Sequence, residues 1–271
     1  MLLRELGHRG NRIMRSQTPA HAMPILRSLL LLVVLFTPAL AQDGARAAAG
    51  AKDAAQALQV YLDGVAKSGQ RPDYTKPPAA DLFRQVFDLA QLTALPPPEA
   101  SDMSWVLDWF DAVKETYKRI MFFGTEFRPD FDQAAVLRNM TEYEDQHAAA
   151  LSFMLRLMAR EATTSFLFMD QLTPEERTPI REAGLQKFRA GGAQMIADAI
   201  CPVEAGTMRP ANARLITTAM RDTRDVWAKF ILPNDRSRLI ALLARTQDKV
   251  KDDEVREDLA VVADRLSAEQ D

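Results

Sequence analysis

The sequence is poor in the residues that staple, cradle or catalyse. One cysteine, Cys201, stands in 271 residues, so no internal disulfide can form and no C-x-x-C site exists. Glycine is scarce at 11. There is no G-x-G-x-x-G, no P-loop and no G-x-S-x-G, which removes dinucleotide folds, phosphate-cradling loops and nucleophile elbows. Aromatic residues make up only 7% of the chain. No segment alternates apolar and polar residues over five or more positions, so the basic signal of a strand is missing. Histidine is the sharpest shortage. Of three, His8 and His21 lie within the first 41 residues, which leaves His147 alone in the remainder. A catalytic scheme that needs two imidazoles is closed to that remainder.

One apolar run stands out, and it is short. Leu29 to Phe36 reads Leu-Leu-Leu-Leu-Val-Val-Leu-Phe, preceded by Arg27, broken by Thr37-Pro38 and followed by Ala39-Leu40-Ala41. A basic flank, an apolar core and an A-x-A site describe a secretory signal peptide cut after Ala41. The run falls well below the roughly 20 apolar residues of a membrane-spanning helix. No cysteine follows it for a lipid anchor, and no Arg-Arg pair precedes it for twin-arginine export. Translation starting at Met14 or Met23 would give a leader of more usual length. The first 41 residues carry five Arg against one Glu. The chain beyond them therefore has a net charge of −7, against −3 for the whole. An acidic surface disfavours nucleic acid and anionic membranes as partners.

What is abundant favours helix. Ala, Leu, Arg and Glu enter helices at little cost. The expected organisation is a leader over 1–41, a flexible Ala/Gly-rich segment over 42–51, and one all-α domain over 52–271. That domain should hold about eight helices in a bundle or irregular array. Helices are expected from Lys52 to Lys67 and from Asp81 to Leu95, separated by a Pro- and Gly-bearing loop at 68–78. The next carries Trp105, Trp109, Phe110, Val113, Tyr117 and Ile120 on one side and is closed by Gly124. A long helix capped by Asp130 is expected to reach Arg160 or as far as Asp170. Thr173-Pro174-Glu175-Glu176 reads as a capping box with proline at the first helical position. The following helix ends near Ile200 and holds Gly184, Gly191 and Gly192; Gly184 and Gly191 share its apolar side, where close helix contact or local flexibility is expected. Pro210 and Pro233 start two more helices; the first buries Leu215, Ala219, Val226, Trp227 and Phe230. A last helix spans about Asp252 to Leu266.

The long helix holds the one stretch with possible chemistry. Met140, Glu144, His147, Leu151, Met154 and Met158 recur at a 4-3-4-3-4 spacing, which turns Glu144 and His147, with Tyr143 beside them, toward the core. Ser152, Arg156 and Arg160 fall on the opposite side. A buried carboxylate needs a partner, and His147, one turn along, is the simplest one. The Glu-x-x-His pair resembles half of the dimetal motif in ferritin-like four-helix carboxylate proteins. That site needs a second such pair, which the single remaining histidine forbids within one chain. Leu172 to Glu176 resembles the L-T-x-x-Q motif of small helical periplasmic chaperones, with Glu in place of Gln, and the capping box explains it. Met140, Met154 and Met158 read as core filler. Asn139-Met140-Thr141 fits a glycosylation sequon inside a helix.

The expectation is an exported, periplasmic or secreted, non-enzymatic helical protein that binds a protein or small molecule and needs no cofactor. The alternative is an enzyme dependent on a metal or small ligand, centred on Glu144 and His147. Cys201, at a helix end, is expected to be a buried structural thiol.

Overall fold

The computed structural model describes residues 39–125 and 132–269. The expected leader up to residue 38 and the expected cap Asp130 lie outside the described residues. Among the described residues the protein is all-α: eleven α-helices, one 3₁₀ turn and no strand. The count exceeds about eight partly because Tyr143 and Thr223 interrupt runs that periodicity alone reads as continuous. One buried apolar cluster extends from Ala47 to Leu266.

The first helix, α1 (Ala39–Lys67), takes in the segment 42–51 that composition suggested was a flexible link. Alanine has the strongest helix propensity, and here it also packs. Ala47, Ala48, Ala51, Ala54, Ala55, Leu58 and Leu62 form a buried stripe. Small side chains let α1 lie close against α4 (Met103–Met121). A Cβ placed on Gly44 would come within 2.6 Å of Trp105 Cζ2, so glycine suits this crossing. Two short helices, α2 (Ala79–Val86) and α3 (Leu89–Thr93), follow the loop at 68–78. The 3₁₀ turn Ala100–Asp102 leads into α4.

Asp132 caps α5 (Gln133–Glu142) by accepting from the Ala135 amide at 3.0 Å. The buried Asn139 ties α5 to the end of α4, its Nδ2 donating to the Met121 and Phe123 carbonyls at 2.9 and 2.8 Å. Those carbonyls are among the acceptors a helix end leaves open. A nitrogen so committed is not available for glycosylation in the folded chain.

The backbone breaks at Tyr143 and resumes as α6 (Glu144–Gln171), the central element. It packs against α4 on one side and against the later helices on others. The sequence pattern of one apolar face understated this. Ser152 is buried, and the Arg156 and Arg160 side chains are largely covered, although the wheel set all three toward solvent. A helix enclosed by neighbours buries residues all round.

Proline opens α7 (Pro179–Glu204), α8 (Pro210–Asp222) and α10 (Pro233–Gln247), where its missing amide is no loss. The Thr173–Glu176 box does form, with the Thr173 amide donating to Glu176 Oε2 at 2.9 Å. It makes only a turn, and α7 starts six residues later than Thr173, capped by Thr178. The glycine in close contact is Gly192, whose added Cβ would meet Phe230 at 3.0 Å; Gly184 and Gly191 face open space. Leu215, expected inside, is 44% exposed; Ala219 is buried as expected, and Ala213 and Ile216 complete the buried side of α8. Trp227 and Phe230 of α9 (Arg224–Phe230) are buried as expected. The last helix, α11 (Asp253–Ala268), packs on α8 and α10. Cys201 is half-buried near the end of α7 and in no disulfide.

Candidate functional site

The three residues singled out by spacing do not converge. Tyr143 is buried at the α5–α6 break, edge-on to Tyr74 with ring centres 5.3 Å apart. Its hydroxyl accepts from Arg71 Nε at 3.1 Å. Burial pushes that phenol up to about 12, against the pull of Arg71. Arg71 also donates to Glu142 and Asn139, each at 2.7 Å. This network pins the loop at 68–78 to α5.

Glu144 turns the other way, toward α8. Its Oε1 accepts from the Arg209 amide at 2.7 Å and from Asn212 Nδ2 at 2.9 Å, and its Oε2 accepts from Arg209 Nε at 3.2 Å. Burial raises this carboxyl, but the donors of Asn212 and Arg209 outweigh it and hold the group below its ordinary value. The expected Glu144–His147 pair does not form. His147, 3% exposed, bonds instead through Nδ1 to the Tyr117 hydroxyl of α4 at 2.8 Å, with the rings stacked 5.6 Å apart. Its Nε2 is buried and has no partner among the described residues. Burial depresses the imidazole to about 4 despite the nearby Glu144 charge, so it is neutral at physiological pH. Among the described residues no group of three or more His, Cys, Asp or Glu is placed to hold a metal ion.

The arrangement with more chemical potential lies four turns further along α6. Continued past Met158, the 4-3 spacing reaches Glu161, Ser165 and Phe168. All three line a half-open cavity of about 110 Å³ between the start of α4, the end of α6 and the first half of α7. Its walls are mostly apolar: Met103 and Leu107 of α4, Phe168 and Met169 of α6, Leu185 and Phe188 of α7. Ser101, Ser104 and Ser165 add hydroxyls, and Arg181 adds one cation. Glu161 is 3% exposed, and among the described residues its Oε2 has no hydrogen-bond partner. Burial raises this carboxyl well above the usual range. The negative charge of Asp111 adds to that, and the positive charge of Lys114 opposes it.

A neighbouring ion pair frames the cavity. Arg160 Nη2 meets Asp102 Oδ2 at 3.0 Å, with both side chains at most one-tenth exposed. Asp102 also accepts from the Glu99 amide at 3.0 Å and from Trp105 Nε1 at 3.1 Å. Arg160 Nη1 donates to the Pro96 carbonyl at 2.8 Å. These bonds hold the 3₁₀ turn, and with it Ala100 and Ser101 of the cavity wall, against α6.

Sequence reasoning missed Glu161 by ending the repeat at Met158. The signal was present, since one further step of three residues reaches it. Among the described residues no helix is long and apolar enough to cross a membrane. No protein family, curated protein or solved structure matches the chain.

Proposed function

We propose that the chain is an exported helical protein that holds a small molecule with a largely apolar body between α4, α6 and α7 without transforming it. The observation that carries this reading is a mostly apolar cavity whose one deeply buried carboxyl has an oxygen without a partner. More than nine in ten buried polar groups are satisfied in native folds, and the exceptions call for an explanation. Concave apolar sites with a few convergent polar groups are the usual form of small-molecule sites. Export is supported by the Arg27, Leu29–Phe36 and Ala39–Ala41 pattern. Glu144 and His147 face different helices, and the reading does not rest on them.

The test is thermal unfolding of the full chain with saturating toluene. An apolar cavity of about 150 Å³ takes a benzene ring, so this smaller, half-open one should accept part of a ring with the rest at the mouth. Toluene should raise the melting temperature of the parent. It should leave unchanged that of Gly184→Phe, whose side chain projects from a lining position with free space around it. No shift in the parent at saturation defeats the proposal.

A further inference from the structure

Resting on that reading of the cavity, we infer that its ligand is an amine: an apolar body packed against Leu107, Phe168, Leu185 and Phe188, with an ammonium nitrogen bonded to Glu161. The lining carries two groups of formal charge. Arg181 comes from the first turn of α7, and its Nη1 already donates to the Glu176 carbonyl. Glu161 comes from the interior of α6 and has an open acceptor. A ligand placing only apolar atoms in the cavity would leave that acceptor unpaired at the cost of a lost hydrogen bond. A ligand carboxylate would set two acids against each other where water is scarce, which disfavours both ionised forms. An ammonium supplies donors to Glu161 and the charge that a buried carboxylate lacks, and charge-assisted bonds are the stronger kind.

The groups around Glu161 suit this assignment. Asp111, on α4, adds negative potential; Lys114, also on α4, opposes it but already pairs with Asp111 at 2.6 Å. On α6 itself Arg160 is held by Asp102. Arg181 on α7, the cation that lines the cavity, is the exception: its charge opposes a bound ammonium, although its Nη1 is engaged by the Glu176 carbonyl.

Proton balance follows. Before a ligand binds, burial keeps Glu161 protonated well above the usual carboxyl range. An alkylammonium arriving from water keeps its own protons, and the Glu161 O–H proton leaves to the buffer as the ion pair forms. Binding should therefore release up to one proton and tighten as pH rises through the Glu161 titration.

The experiment is calorimetric titration of the full chain with benzylamine, benzyl alcohol and benzoate, in buffers of differing ionisation enthalpy. Benzylamine should bind at least about tenfold more tightly than benzyl alcohol, a gap of about 1.4 kcal/mol, and release a proton. Glu161→Gln should fold, lose the proton release and bring the two affinities together. Equal binding of benzylamine and benzyl alcohol, indifferent to Glu161→Gln, overturns the amine assignment and leaves the apolar-cavity proposal standing. Preferential binding of benzoate overturns it as well. No binding by any of the three, with toluene also silent, overturns both.

Discussion

His147 and Glu161 sit on the same helix, about four turns apart, and both are 3% exposed. Burial moves both toward their uncharged forms, the imidazole down and the carboxyl up. Their surroundings differ. His147 stacks on Tyr117 and shares a hydrogen bond with it, in a closely packed junction with α4. Glu161 lines the cavity, and among the described residues its Oε2 has no partner. Burial of a titratable group alone does not separate a structural position from a binding one. Each also keeps one buried polar atom without a partner among the described residues, His147 Nε2 and Glu161 Oε2, so the cavity beside Glu161 is what separates them.

Three measurements would break or sharpen that contrast. The largest effect should come from the partnered acid beside the cavity. Arg160→Ala leaves Asp102 buried and uncompensated, and should cost about 3–5 kcal/mol in denaturant unfolding; a loss near zero would mean the pair does not frame the cavity.

The second concerns the histidine end. An imidazole lowered from 6.5 to about 4 stabilises the fold fully above pH 6.5, and that contribution drains away as pH falls toward 4. It should amount to something on the order of 3 kcal/mol. His147→Leu should flatten this acid limb while losing the bond to Tyr117. An unchanged limb would assign the acid sensitivity elsewhere.

The smallest effect should come from Glu161, with the opposite dependence on pH. Because its folded value is raised, its penalty is absent below about pH 4.5 and grows as pH rises toward the folded titration. Glu161→Met should therefore stabilise the protein at pH 7 by about 1–3 kcal/mol, the cost of an unsatisfied buried polar group. It should do so less at pH 4.5. A destabilised Glu161→Met would make Glu161 part of the packing rather than a vacant position.

The all-α class was legible from patterning. So were the buried sides of α4 and α9, because Trp109, Val113 and Trp227 recur at helical spacing in short amphipathic elements. Enclosure was harder to read. On α6, Ser152 and Arg160 look solvent-facing in sequence, yet neighbours far along the chain cover them: Asp102 and Pro96 for Arg160. The Ala-rich stretch at 42–51 read as a link because composition carries no record of the partner, α4, that makes such a stripe useful. At the site, the repeat correctly turned His147 inward. It could not say that Glu144 would find the Arg209 amide, 65 positions later. For the same reason the sequence did not single out Gly192 among the glycines of α7 as the one in close contact, since that contact is with Phe230.

The position of Asn139 bears on how the protein should be produced. Asn139-Met140-Thr141 is an acceptor sequence for oligosaccharide transfer, and a eukaryotic secretory host would meet it before α5 docks. A glycan on that nitrogen would block its bonds to the Met121 and Phe123 carbonyls and keep α5 from closing on the end of α4. Replacing the exposed Thr141, whose hydroxyl only donates to the Leu137 carbonyl of its own helix, would erase the acceptor sequence and spare the contact.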